Sequence, residues 1–335
     1  MKNHGYGTRE TGKGGYAVGV DLGGSHMTVG LVHEKDGLVE QRTMKTYFGI
    51  PPSRVILGVR DFLHEMYAAS GIEAQDVLGL GIGAPGMVNF HTGVIQFAPN
   101  LGWRDVQLAD GLSREISLPV VIDNDANGAA LAEWRFGAGR GTRAMACVTV
   151  GTGVGAGIII DGTVCRGARG YAGEIGHIKT AAGHAAEEPR VCTCGGRGCL
   201  EMVAGGKAIA ERARKKAPEG SLLLALAGNR RDSITAKTVF EAARQGDMVS
   251  REIVAEAALH LGTSLANLVN LLDLEAVVVG GGVSRAGETL LASLRQVIRE
   301  NVLPVHATLQ VRPAELGTEA GVTGAALLVL ELRRP

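Results

Sequence analysis

The sequence predicts an α/β protein built as two lobes, and three observations carry that prediction. Short apolar runs of strand length alternate with longer stretches of helical period. Glycine-rich turns close several of those runs. The plan of strand, glycine turn and strand occurs twice, over residues 16–32 and again over 145–160, as a distant internal duplication would leave it.

The elements follow in chain order. Tyr16 to Val20 is an apolar strand, the turn Asp21-Leu-Gly-Gly-Ser25 follows, and a second strand runs from Met27 to Val32. A third strand is expected over Leu38 to Thr46. Residues 52–70 place Val55, Ile56, Val59, Phe62, Leu63 and Met66 at helical spacing. Val77 to Ile82 returns to a buried strand ending in Gly83-Ala-Pro-Gly86. A second block opens with the strand Val120 to Ile122, then Asp123-Asn124-Asp125 and an alanine-rich helix to Phe136. Met145 to Val150 and Ala156 to Ile160 flank the turn Gly151-Thr-Gly153-Val-Gly155. Ile253 to Leu272 is a long amphipathic helix feeding the strand Ala276 to Val279 and a third glycine turn, Gly280-Gly281-Gly282. The last helix, Glu319 to Leu332, is expected to pack back on the first lobe.

Composition narrows the function. At 335 residues the chain has room for about two domains. Lys plus Arg equals Asp plus Glu at 34 each, which argues against nucleic acid and anionic membranes as partners. With 45% hydrophobic but only 4% aromatic residues, the core must be built from Ala, Val, Leu and Ile. No apolar run approaches the roughly 20 residues that span a bilayer. Residues 1–15 are polar and glycine-rich with no secretory apolar core, so they read as a flexible tail. The cysteine count is odd, with three of the five crowded into Cys192 to Cys199. That fits a metal site in a reducing compartment better than a disulfide framework, and points to the cytoplasm.

Three constellations carry chemistry. Strands ending in glycine plus Ser or Thr present backbone N–H groups with no side chain in the way, a cradle for phosphate oxygens. One such turn is weak evidence, but three, the first opening with Asp21, favour phosphate and Mg²⁺ binding. The GxxxxGK[ST] pattern is absent, and the second turn leads into a strand and not a helix, which argues against P-loop and dinucleotide folds. Asp123, Asn124 and Asp125 open a helix, where one of the three is expected to be the N-cap. A remaining acid at that helix end would orient a substrate hydroxyl and take its proton during phosphoryl transfer; spacing alone leaves open which acid acts. Finally, Cys192, Cys194 and Cys199 together with His177 form a closed set of tetrahedral zinc ligands of the structural kind, flanked by Glu174 and Glu201.

The segments VGVDLGGSHMTVGLV, GIGAPGMV, NLGW, VIDNDANGAALAE, VTVGTGVGAG, AGEIGH and CTCGGRGCLE together resemble the ROK family of sugar kinases and repressors, most closely its bacterial ATP-dependent glucokinases. The resemblance runs from Tyr16 to the C-terminus, and GEIGH and CxCGxxGCxE are its most specific parts. It implies a two-lobed, actin-like ATPase fold, ribonuclease-H-like in each lobe, with the active site in the cleft. The lobes are expected at 16–122 plus 318–335 and at 123–317, the second carrying the zinc-binding loop.

Residue by residue, the resemblance makes Asp125 the catalytic base toward the sugar 6-hydroxyl. It makes Asn100, Asn124, Glu174, His177 and Glu201 the hydrogen-bonding shell of the sugar. Asp21, Gly23, Gly24, Ser25 (where Thr is usual), Gly151, Thr152 and Gly153 would face the ATP phosphates and Mg²⁺, and Gly281 and Gly282 the adenosine. His177, Cys192, Cys194 and Cys199 match the ligands of a structural Zn²⁺. The segment between His177 and Cys192 carries an extra His184, an alternative fourth ligand.

The activity implied is transfer of the ATP γ-phosphoryl group to D-glucose by a homodimer or homotetramer. The alternatives are N-acetylmannosamine, mannose, fructose or allose as acceptor, polyphosphate as donor, or a non-enzymatic sugar-responsive repressor. The repressors of the family carry a helix-turn-helix domain for which the fifteen or so residues ahead of the first strand are too few.

Overall fold

The computed structural model describes residues 15–70, 72–180, 191–282 and 288–332. The N-terminal tail before Gly15 and the alternative ligand His184 lie outside the described residues. The chain divides into two compact units, residues 1–137 with 163–172 and 318–335, and residues 138–162 with 173–317.

In the first unit, β1 (Tyr16–Leu22) and β2 (His26–His33) form an antiparallel hairpin in which Val20 faces Val29 and Asp21 faces Thr28. β3 (Gly37–Lys45) pairs with the outer edge of β2, and its alternating burial shows one face on the core and one in solvent. After the helix Pro52–Ser70, β4 (Val77–Ala84) joins β1 in parallel. Short strands β5 (Met87–Asn89), β6 (Val94–Ala98) and β7 (Trp103–Val106) make a small antiparallel sheet, and the helix Leu108–Ile116 follows. β8 (Val120–Asn124) pairs in parallel with β4, so the main sheet runs β3-β2-β1-β4-β8. The interior strands β1 and β4 are buried almost throughout, as strands covered on both faces must be.

The C-terminal helix Ala320–Glu331 packs on β1, β4 and the helix Asp125–Phe136. Glycines permit this approach. A Cβ at Gly19 would collide with the Val322 carbonyl, one at Gly81 with the Ala325 carbonyl, and one at Gly324 with the Gly128 carbonyl. The abundance of glycine is thus partly a packing device that brings helix backbone against strand backbone. The same packing explains a difference from the expected lobe boundary at 122/123: the helix Asp125–Phe136 groups with the first unit, and the division falls after Gly137.

In the second unit, the antiparallel hairpin of Ala144–Val150 and Val154–Ile160 repeats the plan of β1 and β2. Ala276–Gly280 pairs in parallel with Ala144–Val150, and Gln310–Pro313 pairs in parallel with Ala276–Gly280. The helices Gly206–Lys216, Ala236–Arg244, Met248–Leu272 and Glu288–Asn301 cover this sheet. The unit's core is aliphatic, Leu261, Leu265, Val277 and Leu294 among its buried members, with Phe240 a lone aromatic among the buried residues. Among the described residues no helix is long and apolar enough to cross a membrane.

Candidate active site

In the first unit, the helix carrying Asp125 begins where β8 ends. Asn124 is its N-cap: the extended backbone there lets Oδ1 accept from the Ala126 N–H at 2.9 Å. The Asn124 Nδ2 donates to the Gly86 carbonyl at 3.1 Å, tying the helix start to the Ala-Pro-Gly86 turn. Asp125 is the first helical residue, half-buried, with Oδ1 2.9 Å from the Ala126 N–H. Asp123 plays a different part. It is fully buried, and Oδ1 accepts from the Asn124 N–H at 2.7 Å and from Asn127 Nδ2 at 2.9 Å, while Oδ2 accepts from Arg166 Nε at 2.7 Å. Burial pushes its carboxyl above the ordinary range, and Arg166 and these donors oppose that shift. The three candidate acids and amides therefore separate into a structural anion, a cap, and the residue left at the helix end, Asp125.

The first glycine turn is braced from behind. The Gly23 N–H closes the turn on the His26 carbonyl at 2.9 Å. Thr46, buried, donates its hydroxyl to the Gly23 carbonyl at 2.7 Å, and its N–H donates to the Ser25 carbonyl at 2.9 Å. Ser25 itself is exposed, with Oγ 3.1 Å from His26 Nδ1. A Cβ on Gly24 would lie 3.2 Å from Asn100 Cβ, so the exposed Asn100 borders this turn directly. Asp21 is half-buried with the glycine at position 321 packed against its carboxylate, and burial pushes its carboxyl up.

The second unit brings the remaining candidates together. The Gly151 N–H closes its turn on the Gly153 carbonyl at 3.0 Å. Gly206 N–H donates to the Gly151 carbonyl at 2.9 Å and Lys207 N–H to the Thr152 carbonyl at 3.1 Å, seating the turn on the start of the helix Gly206–Lys216. Gly281, in the left-handed region at φ +87°, sits so close to Val150 that a Cβ would lie 2.6 Å from the Val150 carbonyl. The second and third glycine turns are thus neighbours. Gly282 is exposed beside it.

Glu201, expected in the sugar shell and beside the metal set, accepts with Oε2 from the Val154 N–H at 3.2 Å, directly under the second glycine turn. A Cβ on Gly153 would strike this carboxylate. Glu201 Oε1 lies 3.8 Å from Cys192 Sγ, so one carboxylate joins the cysteine loop to the glycine turn.

That loop gathers four side chains of metal-ligating type. Ligand atoms of His177, Cys192, Cys194 and Cys199 all lie within 4.8 Å of one another. Cys192 Sγ is 3.6 Å from His177 Nδ1, and Cys194 Sγ is 3.6 Å from Cys199 Sγ. Gly195 and Gly198, both at positive φ, supply the tight turns, and Thr180 N–H to the Gly198 carbonyl at 2.8 Å laces the two arms together. His177 points its other nitrogen, Nε2, toward Glu174 Oε2 at 3.7 Å. Burial raises Glu174, His177 opposes it and Glu201 adds to it. Burial likewise pushes the Cys192 thiol up to about 11, whereas at Cys194 the Gly196 N–H, the neighbouring thiols and Lys179 outweigh burial and lower it. Lys179, 3.0 Å from Cys199 Sγ, is a member of the cluster that spacing alone did not reveal. Arg166 was missed for the same reason, since its partners are far away in sequence.

Comparison with known proteins places the chain in a family. The profile described as the ROK family matches residues 17–332. The glucokinase of Halalkalibacterium halodurans is 40% identical over 314 residues, 93% of this chain and 94% of that protein. The glucokinase of Streptomyces coelicolor is 36% identical over 330 residues, covering 95% of this chain and 98% of that one. Among solved structures, a ROK family glucokinase from Streptomyces griseus in complex with glucose and AMPPNP superposes with a TM-score of 0.77 at 38% identity, over 94% of this chain and 99% of that one. The fold is accordingly the two-lobed, actin-like ATPase architecture. With the family profile spanning nearly the whole chain and relatives above one-third identity along it, the chain belongs to the ROK family.

Proposed function

We propose that this protein is an ATP-dependent glucokinase, transferring the γ-phosphoryl group of ATP to the 6-hydroxyl of D-glucose. The observation that carries the proposal is the end-to-end likeness to glucokinases, one of them holding glucose and AMPPNP at 38% identity. Asp125 is the base: it stands at a helix start that favours its anion, one residue after the N-cap Asn124. Its part is to orient the sugar hydroxyl and take the proton as the phosphoryl group departs, since phosphoryl transfer depends mainly on positioning and charge neutralisation. Asn100, Asn124, Glu174, His177 and Glu201 hold the sugar hydroxyls. The turns at Asp21, Gly23, Gly24 and Ser25 and at Gly151, Thr152 and Gly153 receive the phosphates, with Gly281 and Gly282 toward the adenosine. Asp21 would hold the Mg²⁺ that accompanies ATP, which would supply neutralisation of phosphate charge.

The donor set of His177, Cys192, Cys194 and Cys199 fits a structural Zn²⁺. Two sulfurs about 2.3 Å from a tetrahedral zinc stand about 3.8 Å apart, and Cys194 and Cys199 are at 3.6 Å. These residues would fill all four ligand positions, so the ion's contribution would be to fix the loop. None of the five cysteines is in a disulfide, which supports a reducing, cytoplasmic setting. We further propose a homodimer or homotetramer, which light scattering tests.

The test of the reaction is Asp125→Asn, with glucose 6-phosphate formation followed against a panel of hexoses and with ATP and polyphosphate as donors. Turnover is expected to be lost with glucose binding retained. Turnover at the parent rate would remove Asp125 from its role, and a better acceptor than glucose would replace the substrate.

A further inference from the structure

Arg166 lies in a segment that the glycine turns, the sugar shell and the metal loop leave unused, yet it is the most elaborately held cation of the first unit. Its side chain is 12% exposed and its guanidinium lies between two carboxylates, Nε on Asp123 Oδ2 at 2.7 Å and Nη2 on Glu331 Oε2 at 2.6 Å. Asp123 is completely buried and Glu331 is 8% exposed. The flat face of the guanidinium stacks 3.8 Å from the Phe90 ring centroid, a cation–π contact in a desolvated setting. Glu331 uses its second oxygen to accept the Val164 N–H at 3.0 Å, and the Arg166 carbonyl accepts the Ala172 N–H at 3.0 Å. Both oxygens of each carboxylate are therefore engaged, and the guanidinium is held at Nε and Nη2.

A buried ion triad is a poor device for stability, because desolvation offsets the attraction and apolar replacements often do as well. What it supplies is direction. Arg166 fixes Oδ2 of Asp123, and Oδ1 of the same carboxylate accepts from Asn124 N–H and Asn127 Nδ2. Those two donors bracket Asp125 on the first turn of its helix. The planar fork of arginine suits this task, since an ammonium has no plane that can meet two carboxylates at its edge and stack its face on an aromatic ring.

We propose that Arg166 is a positioning residue for phosphoryl transfer: through Asp123 it sets the first helical turn and with it the carboxylate of Asp125. The inference rests on Asp125 being the base. It acts without contact to either substrate, so it separates turnover from binding.

The experiment compares Arg166→Gly and Asp125→Asn in the full chain, with circular dichroism and thermal melting to establish folding. Arg166→Gly is expected to lower kcat about 100-fold, the scale of an ångström of misplacement, while KM for glucose and for ATP each change less than threefold. Guanidinium or ethylguanidinium at low millimolar concentration should restore at least a tenth of the lost rate, and ammonium at equal ionic strength should not. A folded Arg166→Gly protein with parental kcat overturns the proposal. So does a loss that guanidinium leaves unchanged and that falls on both KM values. If Arg166→Gly does not fold, Glu331→Gln, which frees one end of the guanidinium, decides: kcat lowered about tenfold at constant KM supports the proposal, and an unchanged kcat overturns it. Full activity in Asp125→Asn would instead fault the functional assignment on which the proposal stands.

Discussion

Gly153→Ala is the substitution that best separates this structure from a reading of the motif alone. By the motif, residue 153 belongs to the phosphate turn, and a methyl there should weaken ATP. In the structure the new Cβ points at the Glu201 side chain, with Cδ only 2.8 Å away and a carboxylate oxygen nearer still. The backbone of Gly153 is not in the left-handed region, so alanine meets no conformational penalty and the collision is the whole effect. Glu201 must swing away and lose the Val154 N–H, a hydrogen bond to a charged acceptor worth about 1.5–3 kcal/mol. If Glu201 holds the sugar, glucose affinity falls by that order, about tenfold to a hundredfold. Calorimetric titration of glucose without nucleotide reads this directly. Gly151→Ala is the control, since the space around its Cβ is open; its glucose affinity should match the parent's. Glucose binding in Gly153→Ala within twofold of the parent would refute the role given to Glu201.

Other perturbations reach other parts of the molecule. Cys194→Ser should reduce bound zinc from one per chain to a small fraction by elemental analysis, and should weaken glucose binding more than ATP binding; a full complement of zinc with unchanged sugar affinity would count against the site. Asp21→Asn removes a carboxyl whose burial raises it above the ordinary Asp value of 3.8. A raised acid destabilises the folded state progressively as pH climbs from its unfolded value through its folded one. The variant's thermal stability relative to the parent should therefore be level near pH 3 and higher at pH 7, measured without nucleotide, while MgATP binding is weakened. Gly324→Ala drives a methyl into the Gly128 carbonyl and should destabilise by about 1–3 kcal/mol; differential scanning fluorimetry should show a melting point lower by about 2–4 °C for each kcal/mol.

Much of the fold is legible locally. The hairpin β1–β2, the helix Pro52–Ser70 and the strand Ala276–Gly280 announce themselves by apolar period and by glycine at their ends. The stretch from Met87 to Ile116 does not. Its strands are three, five and four residues long, too short to set a period against the polar residues Asn89, Gln96 and Arg104. Leu108, Leu112 and Ile116 at spacing four were a usable sign of the helix that follows. At the site, the cysteine spacing marks three of the four clustered donors, because Cys192, Cys194 and Cys199 fall within eight positions; His177 joins them from the turn Ile175–His177. Glu201 on Val154, 47 positions away, and Arg166 on Glu331, 165 positions away, leave no local mark. Which of residues 123–125 caps the helix depended on where β8 stops, a matter of sheet register and not of composition.

The helix Ala320–Glu331 completes a core whose other walls are made more than 180 residues earlier. During synthesis, β1, β4 and the helix of Asp125 emerge first but have nothing to cover Gly19, Gly81 and Gly128 until that helix appears. The second unit, residues 138–162 with 173–317, needs no such wait, because its core closes among its own residues. Nascent chains should therefore mature out of sequence order, the later-made unit settling first and the earlier one holding exposed apolar strands for chaperones to shelter. A stop codon ahead of Ala320 would then release a chain with one sound half and one that aggregates.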